Sequence, residues 1–356
     1  MRIGIIVVRS VVSELEKEEI LYLDDPDRPW LKKVTAQHSA LDPEKKRRYT
    51  SCDYSTGYAV RHYHPQVQVG YIHPGKISLA EFAKYDLVFT LIYDLLESFY
   101  TDSNENFKKM EIVFQKSTNL YPPYNYQKFI NSKCAYYTKF GAVPDVKVVP
   151  NYCVFKSEWN KSKDKVKYCA SILKRAQKAD WSAIFIKPLN GQEAFDASVL
   201  SAYSDPNKLC SLFEKLFYVY DGLVCQRFVR NFNENWEHRL YFINEQYVYT
   251  ALTKGEEEAT FADEEEGGTE KKPALWKKIM CMGENALKYL PDIVVKGKKL
   301  PSLINRVDIM DCNEAPHPVC VSEVEFVPSW YVNLTNVLTE RMVAEQAVVI
   351  LKQFLK

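Results

Sequence analysis

Hydrophobic and polar positions alternate along this chain in a way that predicts a mixed α/β protein. Ile3–Val8 and Tyr85–Tyr93 are short apolar runs, the pattern of strands buried on both faces of a parallel sheet. Between them, residues 24–65 are rich in Asp, Lys, Arg, His and Pro and read as long loops, and Leu79–Lys84 reads as a short helix. Leu120-Tyr121-Pro122-Pro123 is a breaker and a plausible end to a first α/β unit. Beyond it, Tyr126–Phe140 has helical periodicity and stops at Gly141, with Pro144 as the punctuation expected past a helix end. Lys147–Phe155 reads as a strand, Ser162–Ala179 as a helix and Ser182–Lys187 as a strand. Asp205 and Pro206 make an N-cap and first-turn pair that opens a helix through Phe217, and Leu223–Val229 is the next strand. Trp236–Thr253 alternates on both sides of Asn244-Glu245, as a β-hairpin does. Gly255–Lys272 is acidic, glycine-containing and poor in apolar residues, and is expected to be a mobile loop. Ala274–Tyr289 is a helix, Val307–Met310 and Val319–Val327 are strands, and Val332–Leu355 is a long amphipathic closing helix.

The two C-terminal strands break the pattern where it matters. Asn305-Arg306-Val307-Asp308-Ile309-Met310 and Cys320-Val321-Ser322-Glu323-Val324-Glu325-Phe326 alternate with period two, yet carry charges where half-buried strands should be bland. Glu323 and Glu325 point to one face, as do Arg306 and Asp308. Strands joined by a short loop are usually neighbours, so three carboxylates and a guanidinium converge. Clefted acids need positive compensation. A hard divalent cation, Mg²⁺ or Mn²⁺, with a polyphosphate completing its shell, supplies it for three oxygen donors. An ordinary solvated sheet face is the alternative. Two further features are each ambiguous alone. Lys187 ends an apolar strand, followed by Pro188, Asn190 and Gly191, and aims an ammonium where phosphate could sit or merely exits to solvent. Gln226-Arg227-Phe228-Val229 closes a strand whose backbone and amide could meet a purine edge, or is plain core.

Composition narrows the class without naming it. With 356 residues the chain has room for two or three domains, and 46% hydrophobic residues give an ample core. A net charge of +1 offers no case for nucleic acid or an acidic membrane as partner. No apolar run approaches the roughly 18–20 residues of a membrane span, and the start reads as a strand rather than a signal peptide. The nine cysteines are scattered and never in CxxC spacing, which reads as reduced thiols of a cytoplasmic protein and disfavours zinc.

Taken in order, Lys133 before Gly141-Ala142-Val143-Pro144, Lys187-Pro188, Gln226–Val229, Glu237-His238-Arg239, Arg306-x-Asp308 and Glu323-x-Glu325 form a series. That series resembles the ATP-grasp superfamily over residues 120–356. The resemblance implies an ATP-grasp fold, α/β and α+β. An N-terminal α/β domain (1–120) would precede the grasp, followed by one subdomain at 121–225 and a second, metal-bearing one at 226–356. It implies ATP held by Lys133 and Lys187 at the phosphates, by Gln226, Phe228 and Val229 at adenine, and by Asn233 or Glu234 at the ribose. One or two Mg²⁺ (or Mn²⁺) would lie on Asp308, Glu323 and Glu325, with Arg306 and Arg239 stabilising the transferring phosphoryl group. The implied activity is a carboxylate–amine ligase that works through an acylphosphate on small-molecule or peptide carboxylates and amines. The alternative is a phosphotransferase of the inositol-phosphate kinase type, for which Lys45–Arg48 and His62, His64 and His73 could supply a basic cleft. A homodimer stays open. The chain departs from the family in two places: Glu325 stands where Asn is usual, and the loop after Lys187-Pro188 has one glycine rather than several.

Overall fold

A computed structural model of the chain describes residues 1–7, 20–91, 104–190, 196–229, 235–254, 257–261, 273–314, 317–326 and 338–356. Three larger sheets organise them, beside a three-stranded and a two-stranded one. The first is parallel, in the order Gln68–Ile72, Arg2–Ile6, Leu87–Thr90, Leu120–Tyr121. Its two central strands are the apolar runs, and side chains from both faces are buried. Leu120–Tyr121, expected as a breaker, still pairs with Val88–Phe89 before the chain leaves through a cis Tyr121–Pro122 peptide.

The loop expectation for residues 24–65 is corrected. With Leu21–Tyr22 just before them, they form a small antiparallel sheet (Leu21–Tyr22, Arg47–Thr50, Ala40–Asp42), and they hold a helix, Cys52–Tyr63. Every residue from Cys52 to Val60 is buried, Asp53, Ser55 and Thr56 included. A helix covered on all sides has no polar stripe, so its 3.6-residue period is invisible in hydropathy. It packs against the closing helix, Thr339–Leu355. The expected start of that helix at Val332 lies outside the described residues.

The second sheet is antiparallel, in the order Ser198–Ser201, Ala183–Pro188, Gly222–Arg227, Asn151–Phe155. One face, with Tyr152, Val154, Ile184, Ile186, Leu223 and Cys225, packs on the helices Lys165–Lys178 and Pro206–Val219. Alternation sends Cys153, Phe185, Lys187, Val224 and Gln226 to the other face. The predicted helix Tyr126–Phe140 is broken at Asn131-Ser132 into Tyr124–Ile130 and Lys133–Gly141. A disulfide joins Cys134 of the second piece to Cys153, whereas the other seven cysteines are free, so the expectation of reduced thiols fails at one pair. Hydropathy carries no signal for which cysteines meet in space.

The third sheet runs Glu257–Phe261, Gln246–Lys254, Glu237–Ile243, Ile304–Glu314, His317–Phe326, all antiparallel. Asn244 and Glu245, at φ 51° and 61°, make the tight hairpin turn predicted there. Glu257–Phe261 falls inside the expected mobile loop and pairs instead as an edge strand, and residues 262–272 lie outside the described residues. Among the described residues, no helix is long and apolar enough to cross a membrane.

Candidate active site

The register of the third sheet decides which charges meet. Glu323 lies opposite Asp308, Asp308 opposite Arg239, and Arg239 opposite Ala251. The adjacent row runs Glu325, Arg306, Tyr241, Tyr249. Arg306 grips Asp308 with two bonds, Nε to Oδ1 and Nη2 to Oδ2, both 2.8 Å, and reaches Glu325 Oε1 at 2.7 Å. Asp308, Glu323 and Glu325 each present one oxygen within 4.8 Å of the others, the set expected from sequence. Such a set of oxygen donors suits a hard divalent cation.

A bulge between Asp308 and Ile309 leaves Ser322 without an opposite residue. Its hydroxyl lies between Glu237 Oε1 (2.8 Å) and the Asp308 carbonyl (3.1 Å). Glu237 Oε2 accepts from Arg239 Nε at 3.2 Å. Glu237 is therefore a fourth acid of the cluster. Its alternation with Arg239 was the one trace of this in sequence.

The lysines come from the other side of the cleft. Lys133, at the start of its helix and buried, meets Glu323 Oε1 at 2.6 Å. Lys187 donates to the Tyr137 hydroxyl at 3.0 Å. Tyr137 lies one helical turn past Lys133, on the same face, and its own hydroxyl donates to the Ser322 carbonyl. The buried side chain of Gln226 also approaches this hydroxyl. Tyr137 went unremarked in sequence, although its i+4 spacing from Lys133 was the available clue.

Burial and charge set the protonation pattern. Burial pushes Asp308 up to about 7, with Glu237 adding to it and Arg306 pulling the other way. Burial also raises Glu325, against Arg306. For Glu323 burial acts the same way but Lys133 and Lys187 outweigh it and hold the carboxyl down at about 2. Burial lowers the Lys187 ammonium despite the nearby acids. Four carboxylates (Asp308, Glu323, Glu325, Glu237) thus face four cations (Arg306, Arg239, Lys133, Lys187).

At the strand end, the Phe228 N–H donates to the Ala183 carbonyl at 3.0 Å, so of its two backbone groups only the carbonyl is left for a ligand. Val229 is buried beside Val149 and Met310. Asn233 and Glu234 lie outside the described residues, as does 191–195 of the loop after Lys187. The basic run is not gathered into a cleft. Arg47 pairs with Asp24, and Arg48 takes the Ala36 and Ser39 carbonyls. His64 faces Lys352 and Glu345, whereas His73 sits beside Tyr54 and Lys76.

No protein-family model matches this chain, and no curated protein matches it in sequence. Solved structures do. It is similar to a D-cycloserine synthetase with TM-score 0.62 and 14% identity, covering 99% of this chain and 100% of that one. It is also similar to a D-alanine–D-alanine ligase from Bacillus anthracis complexed with ATP, with TM-score 0.52 and 12% identity over 99% of each chain. A RimK domain ATP-grasp protein from Sphaerobacter thermophilus gives TM-score 0.51 and 10% identity, covering 97% of this chain and 98% of that one. At such identities what is shared is the fold: the chain has the ATP-grasp fold over nearly its full length, so the likeness takes in the first 120 residues as well.

Proposed function

We propose that this ATP-grasp chain is an ADP-forming carboxylate–amine ligase acting on small-molecule or peptide substrates. The observation that carries it is the cluster of Asp308, Glu323 and Glu325 facing Lys133 and Lys187 across one cleft. The three carboxylates would hold Mg²⁺, which when bound supplies charge stabilisation at the phosphates. Lys133 and Lys187 would turn from carboxylate and phenol to the phosphates of ATP, with adenine against Gln226, the Phe228 carbonyl and Val229. Arg306 and Arg239 line the same sheet face and would bind the transferring phosphoryl oxygens. Catalysis of this kind is positioning plus charge stabilisation.

In the first step a substrate carboxylate oxygen attacks the γ-phosphorus, and the bond to the β-bridging oxygen breaks, releasing ADP. In the second an amine nitrogen attacks the acyl carbon of the acylphosphate. The carbon–oxygen bond breaks, inorganic phosphate leaves and the nitrogen sheds a proton. The D-alanine–D-alanine ligase among the solved neighbours supports this reading over transfer to a hydroxyl, as does the local pairing of Arg47 and Arg48. The test is incubation with Mg²⁺-ATP and pools of amino acids, dipeptides and small acids, quantifying ADP and phosphate together, with Asp308→Asn as control. Equal ADP and phosphate, lost in the control and accompanied by a product one water lighter than its parents, is the expected result. ADP without phosphate would mean a kinase, and no turnover on any pool would remove the ligase reading.

A further inference from the structure

The lobe built on the second sheet has a hydrophobic core of its own, between one face of that sheet and the helices Lys165–Lys178 and Pro206–Val219. A lobe with a separate core can move as a unit about the segments that join it to the rest. The helix Lys133–Gly141 is fixed on the far side of that joint, to the third sheet. Lys133 meets Glu323, Tyr137 donates to the Ser322 carbonyl, and past the helix the Lys147 carbonyl accepts from the Val321 N–H at 2.8 Å. Besides the main chain, a covalent bond crosses the joint: the disulfide from Cys134 on this helix to Cys153 on the edge strand of the second sheet. Cys153 lies opposite Val224, and Val224 opposite Lys187. The disulfide and Lys187 therefore stand at the two ends of one row across the sheet, roughly 10 Å apart at the usual strand spacing. At the other sulfur, Cys134 directly follows Lys133. The bond ties the helix that carries one lysine to the sheet that carries the other. Two weaker links run beside it, the Lys133 N–H to the Leu189 carbonyl at 3.1 Å and Lys187 to Tyr137 at 3.0 Å.

We propose that Cys134–Cys153 is a redox-operated latch: oxidised, it holds the second-sheet lobe to the helix of Lys133, and reduced, it frees the lobe and lowers the affinity for nucleotide. The nucleotide part rests on the ATP-binding reading above, in which Lys187 leaves Tyr137 for phosphate and so gives up one of the weaker links. With the latch closed, both lysines are held for one triphosphate before it arrives, and binding has less ordering to supply. The bond is open to exchange from one side. Cys134 is 5% exposed, whereas Cys153 is half-buried, so an incoming thiolate meets the Cys153 sulfur. When a dithiol reductant attacks there, the Cys134–Cys153 bond breaks and its electron pair stays on Cys134. That thiolate leaves from the second residue of a nine-residue helix, where the positive helix end favours it. The reductant's second thiolate then attacks its own sulfur in the mixed disulfide and frees Cys153. The dithiol is oxidised to a disulfide by two electrons, and two protons complete the protein thiols.

The experiment compares the protein treated with glutathione disulfide, the protein treated with dithiothreitol, and Cys134→Ser/Cys153→Ser. Alkylation in denaturant followed by mass spectrometry should count seven free thiols in the oxidised protein and all nine after reduction. Without nucleotide, amide hydrogens over residues 133–150 should exchange faster once the bond is reduced. In calorimetry the oxidised form should bind Mg²⁺-ATP roughly three- to tenfold more tightly than the reduced form. The double variant should match the reduced protein in both readouts and ignore the redox treatment. Nine alkylated thiols after oxidation overturn the proposal. So does equal exchange in the two states, or equal affinity where both bind ATP. A redox response that persists in the double variant belongs to another cysteine and overturns it as well. Faster exchange on reduction with no ATP binding in either state would remove the ATP reading and leave the latch standing.

Discussion

Replacing Asp308 by Asn removes a charge and almost no volume from the most buried acid of the cleft. Asp308 is 1% exposed and its carboxyl is raised from 3.8 to about 7. That rise is worth on the order of 4 kcal/mol against the ionised form in the folded state. The sign follows from linkage: a raised acid favours folding below its unfolded pKa, and that advantage is lost as pH rises through about 7. At pH 8 without divalent cations the wild type therefore carries an ionised Asp308 at a cost, which Asn does not. Against this, Asn keeps one acceptor for Arg306 and loses one charge-assisted bond, worth about 1.5–3 kcal/mol, while the 2.7 Å bond from Arg306 to Glu325 survives. The two effects oppose, so the Asn variant should melt no lower than the wild type under those conditions. Function should respond quite differently. With one of three carboxylates neutral, cation binding weakens and ADP release should fall about a hundredfold or more. Melting curves at pH 8 with EDTA and an ADP-release assay with Mg²⁺ check both halves. Wild-type turnover in the Asn variant would refute the assignment of Asp308 to the reaction, and a large drop in melting temperature would refute the electrostatic account.

Lys187→Ala should weaken ATP binding by roughly ten- to a hundredfold by calorimetry, since on the proposed reading it would remove a charge-assisted phosphate contact, and unchanged affinity would count against its role. Mg²⁺-ATP at about a hundred times its Kd should add about 2.7 kcal/mol of stability, and EDTA should cancel the resulting shift in melting temperature. Affinity for Mn²⁺, followed by its electron paramagnetic resonance signal, should tighten as pH rises towards about 7 and level off above it. Asp308 must lose its proton there, while Glu323, held at about 2, stays ionised throughout. A pH-independent affinity between pH 6 and 8 would remove Asp308 as a ligand.

The third sheet was the most legible part of this chain. Period-two alternation placed Arg306 with Asp308 and Glu323 with Glu325, and antiparallel pairing of adjacent strands brought the two sets together. What alternation could not supply was the bulge. One extra residue on the His317–Phe326 strand puts Ser322 beside Glu237, and a bulge has no hydropathy signature. The helix Cys52–Tyr63 failed for a related reason: burial on every side erases the contrast on which helical periodicity depends. Tyr137 was hidden more simply. Among 24 tyrosines, one at i+4 from a lysine means little until the strand bearing Lys187 and the bulge at Ser322 are both seen to converge on its hydroxyl. Sequence order picked out the charged residues that converge in the cleft, and missed Ser322 and Tyr137, which bond to them.

Glu325, the departure from the family pattern, makes sense as part of a charge balance. With Asn there, three carboxylates would face Arg306, Arg239, Lys133 and Lys187, leaving the cleft one charge positive. Glu325 closes that difference by taking an Arg306 Nη2 bond at 2.7 Å. Ion pairs offset much of the cost of burying Arg306, Arg239 and Lys133, whereas Lys187 rests on the Tyr137 hydroxyl. The same neutrality constrains what can enter. ATP brings roughly four negative charges, and alone it would leave the lysines contested between phosphate and Glu323. Cations alone would leave Arg306 beside a metal in place of its carboxylates. ATP with two divalent cations adds no net charge. On the proposed reading, Lys133 would pass from Glu323 to phosphate and the carboxylates to metal, with the net charge of the cleft unchanged. On this account Glu325 favours a two-cation site, and ATP and Mg²⁺ should each raise the affinity for the other.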